Sequence, residues 1–130
     1  MTAPTLVIPV RDEGENFRRT YDELVKFIPA ASRVLVVYYR DDDTTLPVLK
    51  CLESSDSRLR SVKNNLGAGI PNALRTGFAS VDRGPVIVVM GDLSDDLKLI
   101  PEMVKRYETG AHVVCPSRYM PGGAQIGGPR

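Results

Sequence analysis

"VIVVMGDLSDD", Val86 to Asp96, opens on five apolar residues and closes on a glycine and three aspartates. A continuous run rich in β-branched residues reads as a strand covered on both faces, because a half-exposed strand would alternate. Gly91 frees the chain to turn. Asp92 follows it directly, ahead of Ser94, Asp95 and Asp96, which suit the cap of a helix. Asp92 therefore stands at the exit of a core strand. A carboxylate at a buried edge needs a partner, and a divalent cation is the natural one.

Four further apolar runs flank this one: Leu6–Val10, Val34–Tyr39, the weaker Leu59–Val62, and Val113–Cys115. Helical patterns lie between them. Glu15 to Ile28 places Phe17, Tyr21, Leu24, Val25 and Ile28 at helical spacing, and Pro29 stops it. Leu46 to Leu52 is a shorter helix with Pro47 in its first turn. Gly69 to Val81 carries Ile70, Ala73, Leu74, Gly77, Phe78 and Val81 on one stripe. Asp96 to Tyr107 has acids near its start, Lys105 and Arg106 near its end, and Gly110 just beyond. Strand–helix alternation repeated in this way predicts an α/β fold, a three-layer α/β/α arrangement around a mostly parallel sheet.

The 130 residues imply one domain, spanning the whole chain. A formal net charge of +1 gives no electrostatic case for nucleic acid. The N-terminus lacks the basic region of a signal peptide, and no apolar run approaches a bilayer's width. Cys51 and Cys115 are far apart and in no metal spacing, so a reducing cytoplasm is expected, with Cys115 a buried free thiol.

In an open parallel sheet, ligands bind beyond the carboxyl ends of the strands. The strand exits carry Arg11-Asp12-Glu13, then Tyr38 to Asp43, then Lys63 to Gly69, then Gly91 to Asp96, then Pro116 to Tyr119. Acids, bases and glycines collect at one edge. Taken singly, Asp12 or Glu13 reads as a cap of the first helix, and Ser94, Asp95 or Asp96 as a cap of the fourth. The Gly67-Ala68-Gly69 turn opens a helix whose N–H groups could face an anion. It is no dinucleotide fingerprint, since Asn72 stands where a third glycine belongs. His112, the single histidine, reads as structural, and triad chemistry has no support.

Five segments in order, "LVIPVRDEGEN", "VLVVYYRDDDTT", "NNLGAGIPNALRTGFAS", "VIVVMGDLSDD" and "VVCPSRYMPGG", together resemble the nucleotide-sugar-binding half of family 2 glycosyltransferases of the GT-A type. The nearest flavour is the polyprenyl-phosphate, dolichol-phosphate mannose synthase-like branch. The resemblance implies a hexosyltransferase of cell-envelope glycan synthesis, with a nucleotide-diphosphate sugar as donor, Mg²⁺ or Mn²⁺ as cofactor and a polyprenyl phosphate as acceptor. Transfer would be an inverting displacement at the anomeric carbon. The same resemblance puts the full-length protein in the cytoplasm, at the inner face of a membrane.

The resemblance also assigns residues. Pro9, Arg11 and Glu13 would border base and ribose, with Arg11 where the family usually has tyrosine. Tyr38, Tyr39 and Asp43 lie in the segment that contacts the base. Gly67 and Gly69 would lie beside the nucleotide. Asp92 would bind the metal and the diphosphate, and Arg118 would reach the acceptor phosphate or the leaving diphosphate. A phosphate acceptor is already an anion and needs no general base.

Three departures stand out. Met90 replaces the first Asp of Asp-X-Asp, which implies weaker or less metal-dependent binding. Tyr38 and Tyr39 replace the acidic pair, so aromatic stacking would stand in for hydrogen bonds to the base. Family catalytic domains are also longer, and a later antiparallel strand inserts between the strand leading to Asp92 and Val113–Cys115. A chain truncated before that strand is expected to associate with itself through the open edge as a homo-oligomer, and to be inactive alone.

Two rivals share the fold. A receiver-like signalling domain would need an aspartate at the end of the third strand, where Lys63-Asn64-Asn65 stands. A degenerate module of the same family, binding nucleotide or a partner without catalysis, fits the Met90 and Tyr39 substitutions. A sugar nucleotidyltransferase is disfavoured, because no glycine-rich basic loop follows the first strand.

Overall fold

The computed structural model describes residues 2–126. The end of the Gly- and Pro-rich tail, residues 127–130, lies outside them. The strands are β1 (Thr5–Pro9), β2 (Arg33–Tyr38), β3 (Leu59–Lys63) and β4 (Val86–Val88). The helices are α1 (Asn16–Leu24), α2 (Leu46–Ser55), α3 (Ile70–Ala79) and α4 (Ile100–Glu108), the last entered through a 3₁₀ turn, Leu97–Leu99.

All strand pairs are parallel, in the order β3-β2-β1-β4. In register, Val7 faces Leu35 on one side and Val88 on the other. The chain builds outward from β1 through β2 to β3, then returns to place β4 on the far side of β1. The crevice between β1 and β4 is thus the topological switch point, where such sheets bind ligands.

Side-chain alternation explains the layers. Leu6 and Ile8 of β1, Val34 and Val36 of β2, and Ile87 of β4 point to one face. There they meet Phe17, Tyr21 and Leu24 of α1, Val48, Leu49 and Leu52 of α2, and Ile100 and Val104 of α4. Val7 and Val37 point the other way, onto Ala73 and Leu74 of α3. The three-layer α/β/α expectation holds.

The stripe predicted for α3 is only partly used. Ala73 and Gly77 are buried, while Ile70 and Phe78 are exposed, at 48% and 45%. The cause is the lack of a neighbour on this face: among the described residues α3 packs there alone, over β1 and β2 with lesser contact to β3, and leaves the same-side residues of β4, Val86 and Val88, exposed. Gly77 is the point of closest approach. A Cβ built there would stand 2.3 Å from Cγ1 of Val7.

The expected fifth strand is absent among the described residues. Residues 113–115 are non-helical and unpaired, Val113 is 78% exposed, and Cys115 is an exposed free thiol rather than a buried one. A strand needs a neighbour to satisfy its backbone, and residues 113–115 pair with none among the described residues. His112, placed at the start of that strand, is likewise exposed.

One polar cluster ties the α1 side of the core together. The Tyr21 hydroxyl donates to Oδ2 of Asp56, and Arg58 grips the same carboxylate through Nε and Nη2, the latter at 2.8 Å. Hydrogen bonding from Arg58, and secondarily from Tyr21, holds the Asp56 carboxyl far below the ordinary carboxylate range. Burial, then the Asp56 contact, pushes the Tyr21 phenol well above its usual value. Asp56→Asn is expected to cost about 2 kcal/mol near neutral pH, the scale of hydrogen bonds to a charged group. A depressed folded pKa stabilises above the unfolded value and loses its effect as pH falls through the folded one. Urea denaturation at neutral pH and again at strongly acid pH checks this, because the gap between parent and variant should shrink on acidification.

Candidate active site

The loop after β1 turns sharply. Asp12 adopts φ +51° and Gly14 φ +59°, both left-handed. Neither Asp12 nor Glu13 caps α1, whose N-terminal flank, Glu15, makes no side-chain cap bond. They face the loop after β2 instead. The Asp12 N–H donates to Oδ1 of Asp43 at 3.1 Å, and the Thr44 N–H donates to Oδ1 of Asp12 at 3.1 Å. The Glu13 N–H donates to Oγ1 of Thr45 at 3.0 Å. Arg40 adds an ion pair to Oδ2 of Asp12 at 3.3 Å and another to Asp42 at 2.9 Å.

The loop after β4 is built with similar economy. The Thr20 hydroxyl, buried in α1, donates to the Gly91 carbonyl at 2.8 Å and fixes the strand exit. A Cβ on Gly91 would meet Val10 Cγ1 at 3.2 Å and Glu13 Cγ at 3.5 Å, so Glu13 lies directly against this turn. Leu93 takes φ +61°, and the Ser94 N–H donates to Oδ1 of Asp92 at 3.0 Å. Asp95 folds back, its Oδ2 accepting the Met90 N–H at 2.8 Å, which ends β4 two residues earlier than the apolar run. Of the three polar residues read as helix caps, Asp96 does so: its Oδ1 accepts from the Lys98 N–H at 3.2 Å.

The two central carboxylates differ in environment. Asp92 is exposed, so its charge needs no buried counter-ion, contrary to the expectation drawn from its place at a strand end. Hydrogen bonding from Ser94 holds its carboxyl below the ordinary range and keeps it ionised. Glu13 is half-buried, and its carboxyl is raised, chiefly by burial and then by the charges of Asp92, Asp43 and Asp12. Glu13 and Asp92 therefore sit within electrostatic reach across the β1–β4 crevice.

The other predicted site residues fall at various distances from this pair. Pro9 is buried within β1, and the Arg11 side chain is exposed beside the crevice. Tyr38 is half-buried against the core, whereas Tyr39 is exposed at 43% and presents a ring to solvent. Asp43 is only 5% exposed, with Oδ1 accepting from two amides. Gly67 and Gly69 take φ +121° and +107°, values that a side chain would disfavour. Arg118 donates to Oε1 of Gln125 at 2.8 Å and lies 5.6 Å from the centre of the Tyr119 ring. None of its described interactions is with the Asp92 turn.

Asn64 was missed as a site-builder. It is 1% exposed. Its Nδ2 donates to the Gly67 carbonyl at 2.7 Å, while Oδ1 accepts from the Leu66 N–H at 2.9 Å and the Thr76 hydroxyl at 3.1 Å. One amide thereby shapes the glycine turn and seats α3 behind it. An Asn three residues ahead of a glycine is a legible turn signal, since its side chain can bond its own backbone two residues on.

A metal ion can be weighed against these donors. Among the described residues, no group of three His, Cys, Asp or Glu side chains could hold one. Mg²⁺ is commonly held by one or two carboxylates with substrate phosphates and water completing the shell. A single carboxylate such as Asp92 would fit only that arrangement, in which phosphates and water bring most of the ligands.

Comparison with known proteins agrees with the geometry. The chain is 28% identical over 117 residues to "Putative glycosyltransferase CsbB" of Bacillus subtilis (strain 168), covering 88% of this chain and 36% of the relative. It is 26% identical over 117 residues to the bactoprenol glucosyl transferase of Shigella phage SfV and to the prophage bactoprenol glucosyl transferase homolog of Escherichia coli (strain K12). In both, 88% of this chain and 38% of the relative are covered, so the chain spans less than two fifths of each protein's length. The family model described as Glycosyl transferase family 2 matches residues 5–127, nearly the whole chain. With its parallel sheet and its acidic turn at the switch point, this chain belongs to glycosyl transferase family 2.

Proposed function

We propose that this chain forms the donor-binding part of a glycosyltransferase that moves a sugar from a nucleoside diphosphate to a polyprenyl phosphate, by inverting displacement. The observation that carries the reading is Asp92: an ionised, exposed carboxylate on a rigid turn at the β1–β4 switch point. The relatives named as bactoprenol glucosyl transferases support a lipid-phosphate acceptor, since bactoprenol is a polyprenol. The dolichol-phosphate mannose synthase-like branch would share that acceptor class, and such an acceptor would bring the protein to a membrane surface. No helix among the described residues is long and apolar enough to cross a membrane.

Asp92 would hold Mg²⁺ or Mn²⁺ together with the donor's diphosphate. The ion would supply Lewis-acid stabilisation of the departing diphosphate. Glu13, half-buried beside Gly91, lines the floor of the crevice, and Tyr39 offers a stacking face for the base. The phosphate acceptor is already an anion and would need no general base. Arg118, on an exposed segment, would meet the acceptor phosphate.

A second reading, a module that binds nucleotide without catalysis, is favoured by one observation. Met90 offers no carboxylate, and no group of three metal-ligating side chains exists among the described residues. Calorimetric titration of the chain with UDP and GDP, with and without Mn²⁺, tests both. Heat that grows with Mn²⁺ supports the transferase reading, and Mn²⁺-independent heat supports the binding module. The absence of heat in every titration would falsify both.

A further inference from the structure

The loops after β1 and β2 hold each other by bonds that neither loop needs for its own turn. The Thr45 N–H donates to Oδ1 of Asp43 at 2.8 Å, an ordinary local turn ahead of α2. The same oxygen also accepts the Asp12 N–H, from 31 residues away. In return, Oδ1 of Asp12 accepts the Thr44 N–H, 32 residues on. Each aspartate thus receives an amide of the other's loop. The exchange fixes Asp12 in its left-handed conformation, and the adjoining Glu13 N–H finds the fully buried Thr45 hydroxyl.

We propose that Asp43 is a positioning residue rather than a ligand contact: with Asp12 it forms a reciprocal clamp that locks the β1 and β2 loops into one body and sets Glu13 against the Gly91–Asp92 turn. Asp43 is 5% exposed and its Oδ1 serves two amides, one from each loop, so most of its carboxylate is turned to protein rather than to solvent. Glu13, by contrast, touches the space above Gly91 that a side chain would fill. The proposal reassigns the role that resemblance gave Asp43, and its functional half rests on the nucleotide reading above.

Amide hydrogen exchange by NMR on the free chain tests the clamp without any ligand. Asp43→Ala should speed exchange at the Asp12 amide roughly tenfold, the loss of one hydrogen bond. Exchange in β2 and α2 should change little. Asp43→Asn keeps an acceptor oxygen and should restore most of the protection. Protection at Asp12 unchanged in Asp43→Ala overturns the clamp. Titration with UDP and Mn²⁺ tests the positioning role. Affinity should fall roughly tenfold in Asp43→Ala and recover substantially in Asp43→Asn. An Asp43→Asn variant as weak as Asp43→Ala, with the Asp12 amide still protected, would show that the charge meets the ligand directly and overturn the assignment. If the parent chain binds no diphosphate, the nucleotide reading fails, while the exchange data still decide the clamp.

Discussion

Asp92→Asn is expected to abolish the Mn²⁺-dependent part of nucleoside diphosphate binding, weakening UDP in the presence of Mn²⁺ by about tenfold to a hundredfold, or roughly 1.4–2.8 kcal/mol. The substitution keeps the shape of the turn, because an asparagine Oδ1 can still accept the Ser94 N–H. It removes only the negative charge, which hydrogen bonding from Ser94 holds in its ionised form in the parent chain. Asp92 is exposed and takes no part in the core, so the melting transition should move little. Metal-free affinity should also change little, or rise slightly, since Asp92 repels a bare diphosphate. Calorimetry at matched Mn²⁺ concentrations reads both effects. A variant whose affinity responds to Mn²⁺ as the parent's does would remove Asp92 from the metal site.

Gly77→Val should have the largest effect on stability, about 3 kcal/mol, at the upper end of measured overpacking. The Cβ alone would enter the van der Waals envelope of Val7 Cγ1, at 2.3 Å. Val7 cannot swing away, since it is β-branched and 0% exposed in β1 between two neighbouring strands. The helix must lift instead, and its small seam with Val37 and Ala73 opens. Replacing glycine by alanine in a helix interior ordinarily gains up to about 1 kcal/mol. Gly77→Ala should nonetheless lose stability, because the clash outweighs that gain. Combining Gly77→Ala with Val7→Ala should recover part of the loss, a coupling that urea denaturation of the four proteins in a mutant cycle would reveal. Additive losses would show that the two residues do not press on one another.

Much of this architecture is legible in the residues. The continuous runs at Leu6–Val10, Val34–Tyr39 and Val86–Met90 announce strands, and each forms a strand of a parallel sheet; β1 and β2 are buried on both faces as their runs suggest, whereas β4 leaves Val86 and Val88 exposed on one. The helices form in the stretches that 3.6-residue periodicity marks, although α1 ends at Leu24, short of Pro29, and α4 starts only at Ile100, behind a 3₁₀ turn. Where local pattern and structure differ, neighbours decide. Val113–Cys115 has a strand's composition and no strand beside it, so it stays unpaired. Ile70 and Phe78 have a helix's buried spacing, but among the described residues α3 has no second helix beside it to cover them. In the site, Gly91 and Asp92 could be singled out because an abrupt change from apolar to acidic residues is visible along the chain. The bonds from Asp12 to Asp43 and Thr44 could not, because they join loops more than thirty residues apart. Asn64 was within reach, since its turn is local.

The unequal layers have a consequence for motion. Helices α1, α2 and α4 share one large apolar cluster, whereas α3 packs through a seam of four side chains and a hydrogen bond from Thr76 to Asn64. Stability in such a molecule is distributed unevenly, and the thinnest layer opens first as a cooperative unit. That layer begins at Gly69, on the same edge of the sheet as the acidic turn. The layer that starts at the glycine turn is therefore expected to be the softest part of that edge, while the loops after β1 and β2, bonded to each other, stay still.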